Sequence, residues 1–325
     1  MSTIRDVAKR AQVSVATVSR VINNSGYVQS ETRERVLKAM QDLNYKPNAI
    51  AQSLNHKKTR NIALVVPDIT NPFFPELARA VEDVARIYGY TVILCNSDED
   101  LKKEQGYMDI IQQKYIDGLI LVSHTLKLNH LIDEVPVVLL DRLVDQNIPT
   151  VTAKNYEGAI LATRHLLDIG CRKIGHICGP KYIPTAQRRL QGYLHVVEQM
   201  EWFSDSLIVE GNFQLELAKE ATLHLLAEHA DIDGIFAGND LMAVGALKAI
   251  HQTGRKVPQD IALIGFDGIF LSKAMEPELS TVAQPIYDMG AIATRLLLKK
   301  IEDQPIDSAY HELDVTLLQR ASTRR

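Results

Sequence analysis

From residue 61 onward the chain alternates short apolar runs with amphipathic stretches, an alternation that few folds accommodate. The runs at 62–67, 91–96, 118–123, 135–140, 173–178, 234–237 and 261–266 are rich in Val, Ile and Leu. A strand apolar on both faces belongs to a parallel sheet covered by helices, because a strand with one wet face alternates with polar residues. The stretches between them, near 74–89, 101–115, 157–170, 185–200, 215–228, 240–253 and 287–302, carry apolar residues at helical spacing. This is an α/β chain, and about seven such units are more than one ordinary open sheet holds.

The first sixty residues differ in pattern and in charge. They hold 11 Lys and Arg against 4 Asp and Glu, a net of +7 in a chain whose total is −4, so the remainder is strongly acidic. A basic module joined to an acidic body suits a polyanionic partner for the module alone, although a solvated basic face has the same composition. Thr3 is placed to cap a short helix with Ile4, Val7, Ala8 and Ala11 on one face. Ser14 is placed to cap a second, over 15–23, with Val18, Val21 and Ile22 inward and Val15, Ala16, Ser19 and Arg20 outward. Ser30 is placed to cap a third, over 31–44, with Val36, Met40 and Leu43 inward. Two short helices on a tight link with a third closing the core read as a helix-turn-helix.

The segments Ile4-Arg5-Asp6-Val7-Ala8, then Val13 through Asn23, then Leu43-Asn44-Tyr45-Lys46-Pro47-Asn48 resemble, without a gap, the head of the lactose/galactose repressor family. The resemblance implies that the second helix reads DNA, with Val15, Ala16 and Arg20 at base edges and Arg20 offering two parallel donors to a guanine. Thr3, Ser14, Thr17, Ser19, Asn23 and Tyr45 are then expected at phosphates, which position without specifying. It also implies that residues 47–59 form a hinge helix that orders on the minor groove, with Leu54 as an apolar wedge and Asn55 beside it. A basic linker is the plainer reading of that stretch. The expected organisation is a head at 1–46, a hinge at 47–59 and a periplasmic-binding-protein-like body at 60–325. The body has two lobes, about 60–159 with 286–312 and about 160–285 with 313–325.

Ligands of open parallel sheets sit at the carboxyl ends of strands. Asn71, Phe73 and Phe74 follow the first apolar run, Asp141 and Arg142 the fourth, Asn239 the sixth and Asp267 the seventh, with Gln284 at a later crossing and Phe213 in a separate loop. Aromatic faces surrounded by carboxylates, amides and a guanidinium are what a neutral polyol needs. Taken singly, an Asp or Asn after a strand is as readily a helix cap. Eight of these residues, all but Phe213, match ribose-contacting positions of periplasmic ribose-binding proteins, and Pro184 through Tyr193 resembles ribose-responsive members of the repressor family. One position departs. Those binding proteins have an arginine where this chain has Gln187, so Gln187 supplies the contact, or Arg188 or Arg189 reaches in, or the ligand differs. Arg189 also matches a ligand-binding arginine of the purine-responsive relatives.

Three classes of function compete. An enzyme needs a nucleophile–base pair, metal spacing or a phosphate loop, and the sequence has no GxGxxG after a strand, no Walker loop, no GxSxG and no HExxH. No catalytic residue, cofactor or metal is therefore expected. Cys95, Cys171 and Cys178 have no metal or redox spacing and read as buried thiols. A transported-sugar receptor needs an export signal, whereas the N-terminus is polar and no apolar run nears the ~20 residues that span a bilayer. The expectation is a cytoplasmic homodimeric repressor, with operator double-stranded DNA and a small sugar, D-ribose acting as inducer, as its partners and no membrane. A purine-responsive or general catabolite regulator of the same family is the alternative.

Overall fold

The computed structural model describes residues 2–45, 59–111, 116–122, 135–141 and 148–324. The chain divides into two compact units, Met1–Arg60 and Asn61–Arg325.

In the first unit, α1 (Ile4–Ala11), α2 (Val15–Ile22) and α3 (Ser30–Asp42) enclose a small core of Val7, Ala8, Ala11, Val18, Val21, Val36 and Ala39. A reciprocal cap fixes the start of α1: Asp6 N–H donates to Thr3 Oγ1 at 3.3 Å and Thr3 N–H donates to Asp6 Oδ2 at 2.8 Å. The Thr3 N–H and, at 2.8 Å, the Thr3 hydroxyl both donate to the Asp6 carboxylate and hold it below its ordinary pKa. Gln12, at φ +54°, turns the chain, and Ser14 Oγ accepts from Thr17 N–H at 3.1 Å to start α2. The third start differs from expectation. Gln29 takes the extended cap position and Ser30 is already the first helical residue, with no side-chain cap bond.

In the second unit, the strands and helices follow in chain order as β1 (Asn61–Val66), α4 (Phe73–Ile87), β2 (Thr91–Asn96), α5 (Leu101–Ile110), β3 (Gly118–Leu121), β4 (Val137–Leu140) and β5 (Thr150–Ala153). Then come α6 (Asn155–Asp168), β6 (Ile174–Cys178), α7 (Pro184–Val197), β7 (Ile208–Glu210), α8 (Leu215–Glu228), β8 (Gly234–Ala237) and α9 (Asp240–Gln252). The chain closes with β9 (Ala262–Asp267), α10 (Leu271–Ala274), β10 (Ser280–Ala283), α11 (Ile286–Ile301), β11 (Tyr310–Leu313) and β12 (Thr316–Leu318). Among the described residues these strands form two six-stranded sheets, in the orders β11-β5-β4-β3-β1-β2 and β12-β10-β9-β8-β6-β7. Every pairing is parallel except β10 with β12. Each sheet is the centre of one lobe, with apolar clusters on both faces.

Among the described residues the chain passes between lobes three times. α6 packs on α7 and on β8, β9 and β10, so the first crossing falls at Lys154 and not near 159 as expected. The helix that follows a strand here covers the next lobe's sheet, so its first turn already belongs to that lobe. The other passages lie between β10 and α11 and between β11 and β12. Lys154 ties two of them, donating its N–H to Leu313 O at 2.9 Å and pairing its ammonium with Asp314 at 2.6 Å. Where lobes meet at such strands, closure is a small backbone rotation. Among the described residues no helix is long and apolar enough to cross a membrane. The three cysteines are buried, and among the described residues they form no disulfide.

Candidate nucleic-acid interface and ligand cleft

On the head, α2 buries Val18 and Val21 and leaves Val15, Ala16 and Arg20 exposed, with Val15 42% accessible although it is apolar. An exposed apolar residue in the first turn of a short helix, with an exposed arginine in its last turn, is a surface a major groove accepts. Ser14 and Thr17 share a hydroxyl–hydroxyl bond at 2.9 Å, and Asn23 Nδ2 donates to Ser19 Oγ at 3.2 Å. Thr3 is exposed at the first cap, and Tyr45 packs partly against the head core. Leu54 and Asn55 lie outside the described residues.

In the body, a cavity of about 440 Å³ opens where the strands' carboxyl ends converge. Of the residues expected to hold a ligand, it brings together Asn71, Phe73, Phe74, Asp141, Arg189, Phe213, Asn239, Asp267 and Gln284. Asn71 folds its Oδ1 back onto Phe73 N–H at 3.2 Å, and the Phe73 and Phe74 rings meet edge to face at 5.2 Å. Asn239 is both cavity wall and cap of α9, accepting from Met242 N–H at 2.8 Å. Being a cap and being a site residue are therefore compatible, because the cap uses only the oxygen and leaves the amide nitrogen to donate.

Arg189 and Asp267 occupy the second lobe's side. Arg189 Nη1 lies 3.1 Å from Asp267 Oδ1, its Nε donates to Asn155 Oδ1 at 2.8 Å, and Nη1 donates to Gly238 O at 2.6 Å. Its Cζ also lies 3.9 Å from the centre of the Phe266 ring, a cation–π contact. Asp267 further accepts from Gln284 Nε2 at 2.7 Å. Burial pushes the Asp267 carboxyl up to about 6; Arg189 pulls it down and the Asp141 carboxylate of the other lobe pushes it up again. Its φ is +109°, a region L-residues rarely adopt, at a cost of about 1–3 kcal/mol. Gln284 is 6% exposed, and its Oε1 has no hydrogen-bond partner among the described residues. A buried acceptor that faces a cavity is completed by a donor from a ligand or water.

One expected ligand residue among the described ones is not brought in. Gln187 is exposed and turns its amide to Lys181 O; on α7 it stands two residues from Arg189, so the two side chains leave on opposite faces. Arg188 is likewise exposed and bonds Gln191. Thr185, four residues before Arg189, shares its face and lines the cavity. Arg142 lies outside the described residues. Sequence reasoning also missed Asp68, Thr70, Asp98, Glu99, Asn212 and Gln214. Asp98 and Glu99 follow the second apolar run as Asp141 follows the fourth, and that position was the available signal. Glu99 accepts from Tyr182 O–H at 2.9 Å, a bond from one lobe's loop to the other's.

Residues 3–48 match the family model described as bacterial regulatory proteins, lacI family, and residues 163–323 match that of the periplasmic binding protein-like domain. The chain is 50% identical over its whole length to the ribose operon repressor of Halalkalibacterium halodurans, covering 98% of that protein. It is 42% identical, again over its whole length, to the ribose operon repressor of Bacillus subtilis, covering 99% of it. A solved structure of the lac repressor dimer bound to operator and the anti-inducer ONPF superposes with a TM-score of 0.88 at 27% identity, over 99% of each chain.

Proposed function

The chain belongs to the lacI family of bacterial regulatory proteins, and from that premise we propose that it represses a ribose operon and is released from DNA by unphosphorylated D-ribose. It is a sugar-responsive transcriptional repressor that binds operator DNA as a dimer. The ribose reading rests on one observation above all. The cavity wall offers chiefly acceptors, among them Asp141, Asp267 and Gln284 Oε1, beside the rings of Phe73, Phe74 and Phe213. Its one cation among the described residues, Arg189, is already neutralised by Asp267. A ligand suited to that wall brings several donors and a C–H face and carries no anionic group, which describes a free pentose. The names of the two relatives point the same way.

In this reading residues 1–46 are the head, 47–59 the hinge and 60–325 the sugar-binding body. Arg20, with Val15 and Ala16, reads bases, while Thr3, Ser14, Thr17, Ser19, Asn23 and Tyr45 hold phosphates. Leu54, with Asn55 beside it, opens the central base step in the minor groove. Sugar bound between Asp141 of one lobe and Asp267 of the other favours one relative position of the lobes. If that position separates the hinges of the two protomers, DNA affinity falls, and linkage requires that operator weakens sugar binding equally. The protein works where its operator is, in the cytoplasm.

Calorimetry with D-ribose, ribose 5-phosphate, hexoses and purines, run beside operator binding, tests this. Heat with D-ribose and loss of operator binding at the same concentrations are expected. Heat only with a purine or a phosphorylated sugar rejects ribose as the effector, and tighter operator binding with ribose rejects induction.

A further inference from the structure

We propose that Asp240 is a positioning residue of the cleft: without touching the ligand, its carboxylate anchors the turn after β9 and so keeps the Asp267 side chain aimed at the sugar. The sugar in this statement rests on the reading above; the anchoring does not.

Asp240 opens α9, but the helix does not need its side chain, because Asn239 already supplies the cap. The Asp240 carboxylate turns inward instead and is fully buried. It accepts from Gly268 N–H at 2.8 Å, from Ile269 N–H at 2.9 Å and from Thr281 O–H at 2.6 Å. The two amides belong to the residues directly after Asp267. There the backbone passes through two successive positive-φ residues, Asp267 at +109° and Gly268 at +79°. A chain reversal of that kind does not hold itself. Across the sheet, Gly265 of β9 stands beside Thr281 of β10, and a Cβ at Gly265 would overlap Asp240 Oδ1. The strand thus leaves a gap for this carboxylate. A buried carboxylate with nothing to position is costly, whereas one that fixes a conformation has a reason to be there.

The test compares wild type with Asp240→Asn and Asp240→Ala in the full-length chain. It reads amide hydrogen exchange at Gly268 and Ile269, the carboxyl titration of Asp267 by carbon NMR, and D-ribose affinity by calorimetry. The charged groups acting on Asp267 are Arg189 from α7 and Asp141 from the end of β4; Asp240, raised well above the ordinary carboxyl range by burial and by the Asp267 charge, ionises after Asp267, so replacing it moves the Asp267 titration away from its value near 6 only if the turn itself shifts. Asp240→Ala should speed exchange at these two amides more than elsewhere in the lobe. It should also weaken ribose binding by more than about tenfold, with operator binding in the absence of sugar unchanged. Asp240→Asn, which keeps an acceptor oxygen, should fall between the two. The role is overturned if the two amides keep their wild-type protection in Asp240→Ala, or if exchange rises evenly across the lobe and ribose affinity stays the same. Should Asp240→Ala not fold, Asp240→Asn decides alone: unchanged exchange at both amides with an unmoved Asp267 titration overturns the role. Wild type giving no heat with ribose rejects the ribose reading only, because exchange and titration need no ligand.

Discussion

The Arg189 guanidinium and the Asp267 carboxylate meet at 3.1 Å with both side chains almost wholly buried, on the second lobe's wall of the cleft. Neither depends on the other alone, since Asn155, Gly238 and Phe266 also hold Arg189 and Gln284 also holds Asp267. The pair fixes the carboxylate before any ligand arrives, so binding need not order it.

Arg189→Met should therefore be costly, because it leaves a buried carboxylate without its cation. A loss of about 3–5 kcal/mol in unfolding free energy is expected, with the Asp267 carboxyl titrating higher than in wild type. Urea unfolding measures the first. A loss below about 1 kcal/mol would mean that the lobe solvates the carboxylate in another way.

Sugar affinity should depend on pH through Asp267. With its carboxyl raised to about 6 from an ordinary 3.8, the folded protein binds the extra proton between those values. Stability therefore declines as pH rises from about 4 to about 6, by roughly 2–3 kcal/mol, and is flat beyond. Affinity runs the other way: the ionised carboxylate accepts two hydroxyls and the protonated one fewer, so ribose binding weakens as pH falls through about 6. Calorimetry from pH 5 to 8 checks it, and a level profile removes Asp267 from the contact.

Gly192→Ala should destabilise, against helix propensity, which by itself favours Ala by about 1 kcal/mol. Gly192 lies on α7 where α6 passes, and a Cβ there would overlap the Tyr156 carbonyl oxygen and crowd Ala159. Backbone cannot rotate aside as a side chain can, so a net loss of about 1–3 kcal/mol is expected from thermal unfolding. A gain would show that the two helices separate freely.

On DNA, Arg20→Ala should relax the preference at one guanine at a cost of about 1–3 kcal/mol, whereas Ser19→Ala should weaken binding to all sequences alike. Operator affinity of the wild type should fall steeply with salt, through counterion release. Binding to a set of single-base operator variants separates these cases, and an unaltered base preference in Arg20→Ala assigns the reading to another residue.

The sequence determined where the strands and helices lie, because apolar periodicity is a local property. The seven apolar runs and the helices between them occur within a few residues of expectation. It did not reveal β5, β7, β10, β11 or β12, which are three or four residues long. β3, β4 and β8 are as short but apolar throughout, whereas Thr150, Thr152, Glu210, Ser280, Thr281, His311, Glu312 and Thr316 interrupt the missed strands, of which β7, β11 and β12 sit at sheet edges. Which polar residues meet depends on contacts between segments far apart in the chain. The strand-end rule found most of the cleft because β–α connections deliver those positions to one rim. Facing direction on a helix is a different matter. Gln187 and Arg189 are two residues apart, and the packing of α7 against β6 and α6 sends one to solvent and the other into the cleft. The ties of Asp240 to residues 28, 29 and 41 positions away arise in the same way. Such bonds join segments that only the folded sheet brings side by side, so no local pattern in the sequence encodes them.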